Sequence, residues 1–357
     1  MTTTIEKDWA ERVRAAAAAK TPLCLRGGGT KDFYGRAPAG EVFDLRPNSG
    51  VVAHEPTELV VTVRGGTPLG ELEAVLAEKG QYLAFEPPHF GAEATVAGCV
   101  AAGLAGPRRS SMGAVRDFML GVRLLDGRGE VLKFGGQVMK NVAGYDVSRL
   151  VAGSLGTLGI VLEVSLKVLP RPVAEATLRF EFDEASMLRT LNEWGGQPLP
   201  VSASLWHGDT LHLRLSGAEA AVRAAAAKLG GEALDAAAAN ALWAGAREQT
   251  AAPFALGAEE VLWRVSLPST APALGLPGRQ VVEWGGALRW LANTGDGARV
   301  RARAAELGGH ATAFRNGDRS GEVFQPLSAA LATIHRRLKQ SFDPAGIFNP
   351  GRLYPEF

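Results

Sequence analysis

Apolar positions along the first half of the chain follow two alternating rhythms. Ile5, Trp9 and Val13 recur every four residues, which predicts an amphipathic helix near the start. Short apolar runs at Leu23-Cys24-Leu25, Val42-Phe43-Asp44-Leu45, Val60-Val61-Thr62-Val63, Leu120–Leu125, Val131–Phe134 and Gly159–Val168 read as strands. Between them Leu69–Lys79 reads as a helix, opened by Thr67 and Pro68 and closed by Gly80. Asp126-Gly127-Arg128-Gly129 has the residues of a hairpin turn.

This texture stops at Pro170-Arg171-Pro172, the strongest boundary signal in the chain. Beyond it, Leu178–Phe182, a helix from Asp183, Val201–Trp206, Leu211–Leu215 and a helix from Ala218 give strand–helix–strand–strand–helix. That is the order of a ferredoxin-like split unit. A weaker second round follows: helix Ala236–Gln249, strands Val261–Leu267, Gln280–Trp284 and Leu288–Leu291, then helix Gly297–Leu307. A last helix is predicted over Leu327–Gln340. The expected division is 1–172, 173–326 and a C-terminal segment 327–357, in an α+β chain long enough for two cores.

Composition narrows the function. Thirty-eight basic residues against thirty-seven acidic ones leave no long-range field for nucleic acid or an anionic membrane. Two cysteines, Cys24 and Cys99, cannot hold an iron–sulfur cluster, which needs about four thiolates. Met1–Lys20 has no apolar secretory core, and no run reaches the roughly 18 apolar residues of a membrane span. The expectation is a reduced, cytoplasmic location, peripheral at the inner membrane only through a complex.

Three segments hold more glycine than packing selects: Arg26-Gly27-Gly28-Gly29-Thr30, Thr95–Gly103 extended to Gly106, and Gly153–Ile160. Consecutive glycines let several backbone N–H groups converge on an anion. One such loop is more often an ordinary turn; three together favour a large ligand with a pyrophosphate. The nicotinamide fingerprint fails, because Asp32 stands where its third glycine belongs, and no phosphate-binding loop ending in Gly-Lys-Ser/Thr occurs. The loops offer amides and hydroxyls, which neutralise a diphosphate without lysine.

These loops, with Gly144-Tyr145-Asp146, resemble in order and spacing the vanillyl-alcohol-oxidase-type, or PCMH-type, FAD domain. Longer runs are similar to the E-type FAD-binding subunits of bacterial glycolate oxidase: Pro87–Gly91, Gly106–Ser110, Phe134–Asp146 and the tail Phe342–Arg352. The resemblance covers about 1–172 and the tail strongly, and the middle loosely. It implies a PCMH-type FAD-binding domain of two α/β subdomains, with the dinucleotide between them, and a ferredoxin-like α/β cap. By analogy Gly27, Gly28, Gly29 and Thr30 contact the pyrophosphate, with Thr95 and Gly98 opposite. Ile160 meets the adenine through its backbone, and Asn349 returns from the tail toward the flavin. Arg26, Gly103 and Gly156 are further candidates within the three segments, and Pro88 and His89 lie in a loop that would border the flavin. Many relatives attach FAD through a histidine after the glycines. Thr30 cannot form that bond, so non-covalent FAD is expected. Leu155 stands where catalytic relatives carry Glu.

Oxidising a 2-hydroxyacid needs a base, a cation for the carboxylate and a hydride acceptor. The metal-binding histidine run of related dehydrogenases is replaced by Thr294-Gly295-Asp296-Gly297-Ala298, which reads as a turn, and no metal is expected. Among six scattered histidines, His310 is the candidate base because glycines flank it. Arg109 and Lys140 are the candidate cations. The resemblance implies partners: a larger FAD-containing catalytic subunit and an iron–sulfur subunit, with a small hydroxyacid as substrate. A self-sufficient FAD-dependent D-2-hydroxyacid dehydrogenase and a flavin-free scaffold are the alternatives.

Overall fold

The computed structural model describes residues 3–136 and 146–357. The first helix, Thr4–Ala19, is held by a reciprocal cap: Glu6 N–H donates to Thr3 Oγ1 (3.3 Å) and Thr3 N–H donates to Glu6 Oε2 (3.1 Å). Trp9, Val13 and Ala16 bury its apolar stripe against Phe43, Leu125, Ile160 and Leu162. The helix lies beside a five-stranded antiparallel sheet in the order Val51–Glu55, Val60–Arg64, Ile160–Lys167, Met119–Leu125, Val131–Gly135. The middle strand, Ile160–Lys167, is buried along most of its length because it feeds two clusters. Ile160 and Leu162 join Trp9 and Phe43, while Val161, Val164 and Leu166 join Leu69, Leu72, Leu76 and Val100.

A separate parallel pair, Leu23–Arg26 with Glu41–Asp44, carries the first glycine segment at its end. The chain's tail returns to this pair: Leu23 bridges Phe348 in parallel, and Leu23 N–H donates to the Ile347 carbonyl at 2.7 Å.

Gln81–Tyr82 pairs antiparallel with Leu169–Pro170, and the other strands form one eight-stranded antiparallel sheet built from two four-stranded units. The first runs Glu232–Ala233, Ala174–Glu181, Thr210–Gly217, Val201–His207, which is ferredoxin-like strand order. The second runs Arg279–Glu283, Leu288–Asn293, Val261–Ser266, His310–Arg315, the same order in mirror sequence. Val201–His207 pairs with Arg279–Glu283 and fuses the units. The fourth strand of the second unit, His310–Arg315, was not read from sequence, and that unit has no α-helix between its first two strands. Asp296 of the Gly-Asp-Gly turn caps helix Gly297–Glu306, accepting from Ala298 N–H at 2.8 Å.

Charged groups tie this sheet to the glycine-loop half. Glu86, at a left-handed φ of +47°, accepts from Arg108 Nε (3.0 Å) and Arg214 Nη2 (2.9 Å), while Arg108 also reaches Glu175. Both arginines are almost fully buried. Removing one member of such a cluster leaves a buried charge without its partner. Glu86→Ala is therefore expected to destabilise the fold by about 3 kcal/mol, read as a lower urea midpoint, with Glu86→Asp milder.

Candidate functional site

The three glycine segments and the tail converge on one open cleft of about 600 Å³, lined by Arg26 to Asp32, Thr95, Gly98, Ala101, Ala102, Leu155, Asn349 and Arg352. The first segment lies close against the second. A Cβ on Gly28 would sit 1.6 Å from the Glu93 carbonyl oxygen, and one on Gly27 would sit 2.3 Å from Thr95 Oγ1. Any side chain at these positions forces the loops apart. Thr95 caps helix Val96–Ala102, its hydroxyl accepting from Gly98 N–H at 3.2 Å. The third segment docks on the other end of that helix. Gly153 and Leu155 donate their N–H groups to the Val100 and Ala101 carbonyls at 3.0 and 2.9 Å, and Gly103 faces the Gly153 Cα.

Asn349 locks the first and third segments to the tail. Its Oδ1 accepts from Leu25 N–H (2.8 Å), and its Nδ2 donates to the Leu155 carbonyl (2.7 Å). Gly156 is needed beside it, since a Cβ there would lie 2.7 Å from Asn349 Nδ2 at a φ of +75°. Below, the buried Lys339 ammonium donates to the Thr157 and Phe348 carbonyls and pairs with Asp343, at 2.8, 2.6 and 2.7 Å.

Chemically the cleft is an anion cradle. The backbone N–H groups of Gly27, Gly28, Gly29 and Thr30 find no acceptor among the described residues. Unpaired amides in a groove are what a diphosphate would satisfy. The expectation that amides and hydroxyls serve here without basic residues needs correction. Arg26, Lys31 and Arg352 all line the cleft. Arg26 pairs with Asp32 at 2.8 Å. Lys31 donates to the His89 carbonyl at 3.0 Å, and burial pushes its pKa below the ordinary lysine value. Arg352 donates to the Arg36 and Asp32 carbonyls; burial, with Arg319 nearby, brings its pKa down to about 10. Lys31 directly follows the glycine run and Arg352 ends the tail motif, so both were within reach of the sequence.

Other predicted positions fall elsewhere. Pro88 and His89 do not line the cleft. The His89 ring meets Glu73 at 3.1 Å, while Glu248 Oε2 takes the N–H groups of His89 and Phe90 at 3.0 and 2.8 Å, fixing the loop to the end of helix Ala236–Glu248. Ile160 is fully buried beside Trp9 and Phe43 and pairs with Leu125. Leu155 is buried with Tyr34 and Ala102 against the larger sheet, at a φ of +49°. A carboxylate at that position would face an apolar wall. Burial, then the positive charges of Arg264 and Arg109, push the His310 pKa below the ordinary imidazole value, while the Arg109 guanidinium carbon lies 4.5 Å from the Trp284 ring centroid. Lys140, Gly144 and Tyr145 lie outside the described residues.

A backbone-amide cradle between two α/β layers, under a broad antiparallel sheet, defines an FAD-binding domain with a cap. The FAD binding domain family matches residues 2–135, and the C-terminal domain of FAD linked oxidases matches residues 319–353. The chain is 50% identical over 346 residues to the glycolate oxidase subunit GlcE of Escherichia coli (strain K12), covering 97% of this chain and 96% of that one. It belongs to the GlcE family of glycolate oxidase subunits and is an FAD-dependent oxidoreductase. The glycolate oxidase subunit GlcD of Bacillus subtilis (strain 168) is 30% identical over 161 residues, 44% of this chain and 34% of its own. In fold, a solved structure of alkyldihydroxyacetonephosphate synthase matches with a TM-score of 0.66 at 16% identity, over 98% of this chain and 75% of that one.

Two substitutions test the cradle. Gly28→Ala, with its Cβ against the Glu93 carbonyl, should abolish FAD retention, read as the flavin-to-protein absorbance ratio. Asn349→Ala removes two buried backbone contacts and should weaken FAD binding by roughly tenfold in titrations of apo-protein, with the far-ultraviolet dichroism unchanged.

Proposed function

We propose that the chain holds FAD without a covalent bond and serves as the flavin-bearing accessory subunit of a complex that oxidises a small 2-hydroxyacid such as glycolate. The observation that carries this reading is the set of acceptor-free amides at Gly27 to Thr30, closed by Lys31, Arg26 and Arg352. Bound there, FAD supplies the hydride and electron acceptor for alcohol oxidation. The amides of Gly27 to Thr30 and the Thr95 hydroxyl would receive the diphosphate, and Asn349 and Leu155 would set the wall beside the ring. Thr30 offers only a hydroxyl, 3.4 Å from the Lys31 ammonium, and has no chemistry for a flavin linkage.

The complex follows from the relatives named as glycolate oxidase subunits. With two cysteines, both buried, this chain cannot carry clusters itself, so its partners would be a larger FAD-containing subunit and an iron–sulfur subunit. A cytoplasmic location goes with that assignment. Among the described residues no helix is long and apolar enough to cross a membrane. One observation favours a second reading, a self-sufficient dehydrogenase: Arg109 and Arg264 both lie over Trp284, on the sheet whose edge strand starts at His310.

Acid precipitation of the yellow protein should release all flavin to the supernatant; colour kept in the pellet would contradict non-covalent binding. Anaerobic glycolate or D-lactate should leave the isolated subunit yellow, whereas bleaching would establish the self-sufficient reading.

A further inference from the structure

The strand Val261–Ser266 sorts its side chains by alternation. Trp263 and Val265 pack with Leu291, Ala311 and Val300 on one face. Leu262 packs on the other, with Trp290, Phe314, Tyr34 and Leu155, in the cluster shared with the glycine-loop half. Arg264 lies on this second face by the same alternation. Its cross-strand neighbours are Trp290 and Thr312, and Ser266 with His310 is one pair further along. Arg264 is thus a charged residue on an interior strand of the sheet, aimed at the flavin half.

Arg264 shares its surroundings with a second cation. Its guanidinium carbon lies 5.3 Å from the Trp284 ring centroid, and that of Arg109 lies 4.5 Å from the same ring. Trp284 is fixed beneath them by its Nε1–H donating to the Gly106 carbonyl at 3.0 Å. Neither guanidinium has a hydrogen-bond acceptor or an ion pair among the described residues. The Tyr34 hydroxyl has none either, although Tyr34 is buried. Arg109 and Arg264 are each only half-buried.

The nearby carboxylates do not neutralise it. Glu283 acts on Arg264 from beyond salt-bridge range; it accepts from Trp290 Nε1 at 2.6 Å, and burial pushes its pKa up to about 7. Asp117 acts on Arg109 but caps Ala114 N–H at 2.8 Å, and Arg116 adds a further positive charge. Burial, with Arg264 beside it, brings Arg109 down to about 10. Two like charges over one indole, in largely apolar surroundings, are stabilised when an anion joins them. Guanidinium forks and a phenol match the two oxygens of a carboxylate, and Trp284, Trp290 and Phe314 surround them with apolar surface.

We propose that Arg109, Arg264 and the Tyr34 hydroxyl form a binding site for the carboxylate of a small organic acid, on the sheet face turned toward the glycine-loop half. The proposal rests on the reading of this chain as a flavoprotein of hydroxyacid oxidation, and it adds a ligand site on this subunit itself.

Oxalate is the probe, since it presents a carboxylate and has no hydride to give. Calorimetric titration of the FAD-loaded protein should show saturable binding with one site. Arg264→Met and Arg109→Met should each weaken it at least tenfold, Tyr34→Phe several-fold, and Arg264→Lys should recover part of the loss. Flavin-to-protein ratios, read on the same samples, should stay at the unsubstituted value. Oxalate that fails to bind, or binds all variants alike while the flavin is retained, overturns the site and leaves the flavin reading standing. Inorganic phosphate binding more tightly than oxalate overturns the carboxylate assignment. A protein that takes up no FAD overturns the flavin reading, and its oxalate titration still decides the site. Should Arg264→Met not fold, Arg109→Met and Tyr34→Phe carry the comparison.

Discussion

The carboxamide of Asn349 sits where three stretches of chain far apart in sequence must meet. One end takes the Leu25 N–H, at the strand that leads into the first glycine segment; the other gives to the Leu155 carbonyl in the third. A carboxamide suits this place because it donates and accepts across one rigid plane. With Lys339 clamping Thr157 and Phe348 from below, the tail closes the cleft like a brace. The amides of Gly27 to Thr30 can then stay free of protein partners, because the loop that carries them is held from outside. A cofactor site built on main-chain groups needs such external support, since its own residues contribute almost no packing.

A second constraint acts between the two halves. Glu86, Arg108 and Arg214 form a paired, buried ionic knot, whereas Arg109 and Arg264, along the same junction, have no such partners among the described residues. The adjacent arginines Arg108 and Arg109 thus have opposite fates. One is consumed in joining the halves, and the other lies over the Trp284 ring. Burial costs both of them hydration, but among the described residues only the first recovers it in hydrogen bonds and ion pairs. This contrast gives the junction its chemistry, because an unsatisfied cation is poised for a ligand where a satisfied one is only structural.

Much of this was legible in the sequence because local rules governed it. The Ile5, Trp9, Val13 period, the Pro170–Pro172 break and the strand order of the first ferredoxin-like unit all depend on near neighbours. The three glycine segments announced themselves because glycine is costly where it is not needed. What escaped depended on contacts across long separations. Arg264 sat inside an apolar strand with no signal except its own charge. The strand His310–Arg315 was missed because its flanking glycines, Gly308 and Gly309, pointed instead to close approach at His310. His89 drew attention through its motif, yet Glu248, 159 positions away, claims its backbone for the junction.

The central claim is that free backbone amides at the first glycine segment grip the diphosphate, with the second and third segments held around it. Hydrogen–deuterium exchange of apo-protein, with and without FAD, tests it at single-segment resolution. The account predicts strong new protection at residues 27–30, accompanied by protection at 95–98 and 153–156. Protection confined to the face of the larger sheet, with the amides of 27–30 exchanging as before, would contradict it.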